Sequence, residues 1–368
     1  MRTGTANLPL HGGKAPAWLF QRMKKLARYM CLYIVEEMGS EELLRKLSDP
    51  FWFQAFGCVL GFDWHSSGVT TTACGAIKEG LKGTEKDTGI FCAGGKGKAG
   101  LKTLQEIDAA ADRFSLSFGS ELIQASRMSA KVDSSGVQDG YSIYHHTFLY
   151  TRDGAWSVIQ QGMNPDNCYA RRYHWLSENV RDFVNEPHTG IQRSAPGDEY
   201  VLNLVARESE DNRDTAAGLV RDDINGLVRD LKKLPELSLP SRHMVTTKDI
   251  NVKYYLKVME TVRDARPETY SELMQVPGVG AATLRAISLV SELIYGQPAS
   301  TRDPATFSYA HGGKDGTPFP VERKTYDNTI EVMRLAVEKS KVEHSEKQKA
   351  VKRLIRHCSQ FAPGDGGE

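Results

Sequence analysis

Residues 141–163, YSIYHHTFLYTRDGAWSVIQQGM, decide the fold class. Two runs rich in β-branched and aromatic residues flank Arg152-Asp153-Gly154-Ala155. Such residues fit a pleated surface, and an Asp-Gly pair between two such runs is a hairpin signal. The spacing predicts an antiparallel hairpin. Alternate residues share a face, so Tyr144 and His146 oppose His145 and Thr147, with Gln160 and Gln161 on the neighbouring strand.

Upstream, residues 88–100, TGIFCAGGKGKAG, read as a short buried strand running into a glycine-lysine loop. Helical apolar spacing marks 15–39, ended by Gly39, then 40–49 with Ser40 as its cap, and 103–117 with Thr103 as its cap. Downstream, residues 170–184, ARRYHWLSENVRDFV, read as a helix that Arg171, Arg172 and His174 begin. Residues 201–209, VLNLVARES, read as a strand. Beyond about residue 215 the pattern is nearly all helical, interrupted by the proline-containing stretch KKLPELSLPSRHM at 232–244. The expectation is an α+β chain. A mixed α/β domain, 1–210, would be catalytic. A helical DNA-binding domain, 211–368, would carry a helix-hairpin-helix at about 268–296.

That hairpin is SELMQVPGVGAATLRAISLVSELIY, residues 271–295. Pro277 stops the first helix. Gly278 and Gly280 allow unusual backbone angles and keep side chains away from a phosphodiester. Val279 turns inward, and Leu273, Val276, Leu284 and Ile287 pack the two helices together. The amides at the start of the second helix form the positive end of its dipole. Thr283 and Arg285 sit where a hydroxyl or guanidinium reaches a phosphate. The alternative is a plain junction between two helices. The stretch resembles the hairpins of DNA-repair and recombination proteins. Helix-hairpin-helix DNA glycosylases follow PGVG with a helix, often GQP, and a catalytic Asp. Here YGQPASTRDP supplies Asp303 as the alternative catalytic residue. The bifunctional members' lysine is replaced by Ala282, which argues against a Schiff-base lyase.

With 368 residues, a hydrophobic fraction of 40% and a charged fraction of 25%, the chain has the composition of a folding, water-soluble protein of about two domains. The net charge of +1 gives no global case for nucleic acid, although the last residues are rich in Lys, Arg and His. None of the six cysteines forms a CxxC pair, which disfavours a zinc ribbon and a redox dithiol. The polar N-terminus has no apolar signal core, and no apolar run is long enough to span a membrane. A cytoplasmic protein with no membrane partner is expected.

Three N-terminal segments can converge on one site. In GFDWHSSGVTTTACGAIKEGL, 61–81, Asp63 and His65 share a face if extended, and SSGVTTT offers hydroxyls and amides to an anion, or merely caps a helix. In GGKGK, 94–98, Lys96 and Lys98 beside freed backbone can form a phosphate nest, although no Walker motif is present. The third is the hairpin with Arg171, Arg172 and His174. His145, His146 and His174 can act as general acid and base. Arg171, Arg172, Lys96 and Lys98 can hold phosphate. Asp63 and Asp133 can orient a histidine or bind Mg²⁺ or Mn²⁺. A later glycine loop, FSYAHGGKDGTPFPV at 307–321, adds His311, Lys314 and Asp315. Together these point to a DNA-binding nuclease or repair enzyme cleaving phosphodiester bonds. The rivals are a glycosylase using Asp303 and a non-catalytic DNA-binding or scaffold protein. RNA stays open as a partner, because a grip on backbone phosphate does not select the sugar.

Residues 1–23, 47–72, GGKGK, VIQQGMN, ARRYHW and 303–321 together resemble an uncharacterised prokaryotic family, the domain of unknown function DUF763. The resemblance covers essentially the whole chain. It implies a cytosolic protein of a bacterium or archaeon and brings no activity or site residues with it.

Overall fold

The computed structural model describes residues 15, 17–61, 68–166, 169–192, 201–237, 251–305, 323–339 and 347–352. Asp63, His65, His311 and Lys314 lie outside these residues.

The expected hairpin is the centre of the fold. Strands β3 (Ser142–Thr151) and β4 (Trp156–Asn164) pair antiparallel. They join β1 (Ile90–Lys96), β5 (Tyr169–Leu176) and β6 (Gly190–Gln192) in a five-stranded antiparallel sheet of order β1-β3-β4-β5-β6. A two-stranded ribbon, β2 (Val137–Gln138) with β7 (Leu202–Asn203), stands apart. The fold is therefore mixed α+β.

One sequence expectation is overturned here. ARRYHW is not the start of a helix; it is the body of β5, and Ala170 to Leu176 are all buried. The stretch is covered on both sides. Its alternate residues enter two different apolar clusters, with Trp175 in one and Leu176 in the other. A strand buried on both faces loses the alternation that would announce it. VLNLVARES contributes only the two-residue β7 before turning into a 3₁₀ segment.

The sheet's faces organise the helices. On one face Ile90, Leu149, Ile159 and Leu176 pack with α1 (Ala17–Met38), α2 (Ser40–Ser48), α3 (Pro50–Leu60), α4 (Gly68–Leu81) and α13 (Arg323–Lys339). Gly39 ends α1 as its sequence requires, at φ 93°, and Asp49 caps α3 by accepting from Phe51 N. A four-residue helix, α5 (Glu85–Thr88), leads into β1. On the other face Phe91, Phe148, Trp156, Val158 and Trp175 pack with α6 (Thr103–Phe114) and α7 (Gly119–Lys131). The same cluster takes in α8 (Glu210–Asp222), α9 (Ile224–Lys233), α10 (Val252–Ala265), α11 (Tyr270–Gln275) and α12 (Ala281–Leu293). Apolar residues from both sides of residue 210 share this one cluster. No described helix is long and apolar enough to cross a membrane.

Candidate functional site

The helix–turn–helix at 270–293 forms much as its sequence predicts. Thr269 caps α11, its Oγ1 accepting from Glu272 N, while Glu272 accepts from Glu268 N in turn. The chain then turns through Val276 N to Leu273 O and Val279 N to Val276 O. Gly278 sits at φ 88°, where a side chain would be strained. Val279 is completely buried, and Leu273, Val276, Leu284 and Ile287 pack as expected. Pro277, Gly278 and Ala282 remain exposed.

Three distant side chains fasten this turn. Lys131, at the end of α7, donates to Val279 O. Tyr254 on α10 donates to Gly278 O at 2.8 Å. Gln138 on β2 donates to Ala281 O at 2.9 Å and accepts from Arg285 Nε at 2.7 Å. None of the three fasteners was singled out in the sequence, because each lies remote in the chain and carries no local motif. No side chain among the described residues caps α12. Its first turn, from Ala281 to Thr283, therefore presents amides that no intrahelical carbonyl can take. One expected phosphate ligand is corrected: the Thr283 side chain is buried within the helix packing and its hydroxyl cannot reach a phosphate at the surface.

The remaining candidates divide between the two faces of the sheet, as a period of two dictates. On the α7 side, His146 Nε2 lies 2.9 Å from Ser126 Oγ, and His146 Nδ1 lies 2.9 Å from Gln160 Oε1. Gln160 donates onward to Asp133, whose carboxylate also accepts from Trp175 Nε1 at 3.0 Å and meets His188 Nε2 at 2.5 Å. At the end of the same face, Arg171 is fully buried between two acids. Its Nη1 meets Asp139 at 2.9 Å, and its Nη2 meets Asp303 at 3.0 Å. Tyr173 donates to Asp139, and the Arg171 guanidinium lies over the Tyr141 ring. Burial opposes the charge on Arg171, but the two carboxylates outweigh it and hold the guanidinium protonated. Asp303, the alternative catalytic residue, is thus an ion-pair partner whose Oδ1 also accepts from Ala305 N.

On the opposite face, Thr70 in the first turn of α4 donates to Gln161, and Gln161 donates to the Tyr144 hydroxyl. The strand register shifts between Ile143 and His145, and this irregularity puts Tyr144 on the face of His145 and not, as strict alternation predicts, on that of His146. The Lys96 ammonium lies 5.7 Å over the Tyr144 ring. Arg172 donates to Gln54 at 2.7 Å and stacks over Phe53. His145 Nε2 is 2.9 Å from Thr147 Oγ1. Parts of all three expected segments therefore meet here: Thr70 from the first, Lys96 from the second, and Tyr144, Gln161 and Arg172 from the third. Thr70 lies in SSGVTTT and Tyr144 in the hairpin, both within the expected segments though given no individual role; Gln54 was not expected, since a lone amide carries no motif. Lys98 is exposed on the 3₁₀ helix, Gly97–Lys102, that follows β1.

The histidines do not sit as acid–base catalysts would. His145, His146 and His174 are all buried. Burial pushes the His145 imidazole down to about 3, and nearby His146, Lys96 and Arg172 add to the effect. Burial likewise lowers His146 and, more strongly, His174. All three stay neutral at pH 7 without access to solvent, which corrects their expected catalytic placement. No group of three or more His, Cys, Asp or Glu among the described residues could hold a metal ion. Asp133 is buried and already engaged by three donors.

A family model described as a protein of unknown function, DUF763, matches residues 4–321, so the chain belongs to that family. No curated protein matches it. No solved structure matches it either.

Proposed function

We propose that this member of the DUF763 family is a DNA-binding protein that grips backbone phosphate at the start of α12. The observation that carries the reading is the exposed Pro277-Gly278-Val279-Gly280 turn, anchored by buried Val279 and opening onto a helix N-terminus that no described side chain caps. Lys131 and Arg285 flank it with positive charge. A turn tied to α7, α10 and β2 is preorganised, so little ordering entropy opposes binding. Contacts of this kind are sequence-independent and salt-sensitive. RNA is an alternative partner of the same chemistry.

A second reading, phosphodiester cleavage, is favoured by the gathering of Thr70, Gln161, Tyr144 and Lys96 at one end of the sheet. Gln161 donates to the Tyr144 oxygen, which leaves the phenolic proton available to a substrate oxygen. Lys96 supplies charge for a phosphate, and Mg²⁺ or Mn²⁺ would serve as the added cation. The glycosylase reading requires Asp303 to act from within its pairing with Arg171.

The test is equilibrium binding to single-stranded DNA, duplex DNA and RNA across a salt series, followed by incubation with EDTA, Mg²⁺ or Mn²⁺. Binding that weakens linearly in log salt supports the grip, and absence of binding at low salt sinks it. Strand cleavage lost in Tyr144→Phe and Lys96→Ala supports the nuclease. Abasic product lost in Asp303→Asn supports the glycosylase. Binding without turnover leaves a binding or scaffold protein.

A further inference from the structure

Among the described residues β1 is an edge strand, paired in the sheet with β3 alone. Arg152 N donates to Gly89 O, which fixes which residues of β1 face β3. In an antiparallel ladder the bonded positions alternate, so Phe91 and Ala93 bond to β3, while Ile90, Cys92 and Gly94 direct their N–H and C=O outward. Two of these three positions already have partners. Ile90 N donates to Thr88 Oγ1. Gly94 N donates to the Glu106 carboxylate at 2.8 Å, and Gly94 O accepts from Lys78 Nζ at 2.7 Å. Lys78 from α4 and Glu106 from α6 thus take the places of a neighbouring strand at Gly94, and pair with each other at 2.6 Å. The N–H and C=O of Cys92 and the C=O of Ile90 have no such substitute among the described residues.

Ile90 and Cys92, which carry these groups, line a cleft of about 360 Å³ between α4 and α6. Leu81, the last residue of α4, and Lys82 just after it line one wall, and Ala109, Arg113 and Phe114 line the α6 wall. Backbone donors and acceptors at a half-buried edge need partners. Covering helices that stop short of closing the edge leave room for one short strand.

We propose that this cleft binds an extended peptide segment of a partner protein, which adds to β1 as a sixth strand at Cys92. Main-chain bonds to Cys92 and Ile90 supply affinity, and alternate side chains supply selectivity. The β1 residues from Ile90 to Gly94 bound the segment at about four residues, since a strand rises about 3.4 Å per residue. Side chains on one side of the added strand meet Ala109 and Phe114, which favours apolar residues there. Those on the other meet Leu81 and Lys82. The inference is independent of DNA binding.

The probes are acetyl- and amide-capped hexapeptides in which Val alternates with Thr, Glu, Lys or Phe, titrated into the full chain. Each binder is re-made with one backbone amide N-methylated at a time. Methylation should weaken binding about tenfold or more at alternate amides and hardly at all between them, because each lost edge hydrogen bond to a half-buried group is of that size. Binding should also slow exchange of the Cys92 amide. Ala109→Trp, at an exposed position on the cleft wall, should abolish binding while leaving DNA affinity and thermal stability unchanged. Absence of binding by every peptide, methylation that is harmless throughout, or equal binding by capped single amino acids would overturn the proposal. The last result would make the cleft a small-molecule site.

Discussion

Replacing Gly280 by Asp separates what the hairpin does for the fold from what it does for a ligand. Gly280 is the N-cap of α12 at φ −123°, a conformation open to any residue, and a Cβ built there meets nothing within 4 Å. An aspartate in that place accepts from the amides of the first turn and sets a negative charge at the positive end of the dipole. A cap replacing glycine contributes a few tenths of a kcal/mol, and the charge adds about 0.3–1 kcal/mol. The variant should therefore be at least as stable as the native protein in thermal or urea unfolding. Its carboxylate occupies the amides that a phosphate would take and repels the phosphodiester. Losing one charge-assisted hydrogen bond of about 1.5–3 kcal/mol corresponds to about 10- to 150-fold weaker binding. The slope of log K against log salt should fall by about one unit. Fluorescence anisotropy with short labelled duplexes and single strands reads both quantities. Gly280→Asn, a neutral cap, should fall between the two. A Gly280→Asp protein of undiminished stability that binds DNA within twofold of the native protein would refute the phosphate grip.

Other consequences follow from the buried polar groups. His145, His146 and His174 are held neutral below their ordinary pKa, so the unfolded chain takes up protons that the folded chain refuses. Their share of stability is intact above about pH 6.5 and is lost as pH falls, at up to about 1.4 kcal/mol per pH unit for each; urea midpoints between pH 7 and pH 4 would show this, and a flat profile would contradict it. Arg171→Ala leaves the buried Asp139 and the half-buried Asp303 without their counter-ion and should cost about 3–5 kcal/mol, with partial recovery in Arg171→Met combined with Asp139→Asn. Gly94→Ala places a Cβ against the His146 carbonyl and Thr103 at φ 88°, so the variant should unfold at a clearly lower temperature or fail to accumulate. Retention of native stability there would show that β1 and β3 can separate without loss.

Legibility from the sequence followed the range of the interactions. The hairpin at 141–163 carries its signal in adjacent residues: β-branched runs around Asp153-Gly154. The α11–α12 turn is equally local, and Gly278, Val279 and the helix that follows stand where their own chemistry puts them. The glycines of GGKGK were legible as special, but their reason was not. Gly94 is required because β3 and α6 close in on it, which depends on residues far along the chain.

The sequence by itself determined the local units: an α+β chain, a central antiparallel hairpin, an anchored glycine turn and an open helix start. Tertiary structure decided the rest. It made ARRYHW a strand by covering both of its faces. It buried the three histidines whose residue type suggested catalysis. It joined Arg171 to an aspartate 132 residues away. Among the described residues it also left the β1 edge at Cys92 without a bonding partner, between two helices. Local propensity acts through neighbours in the chain, whereas burial, ion pairing and sheet edges depend on which distant surfaces meet.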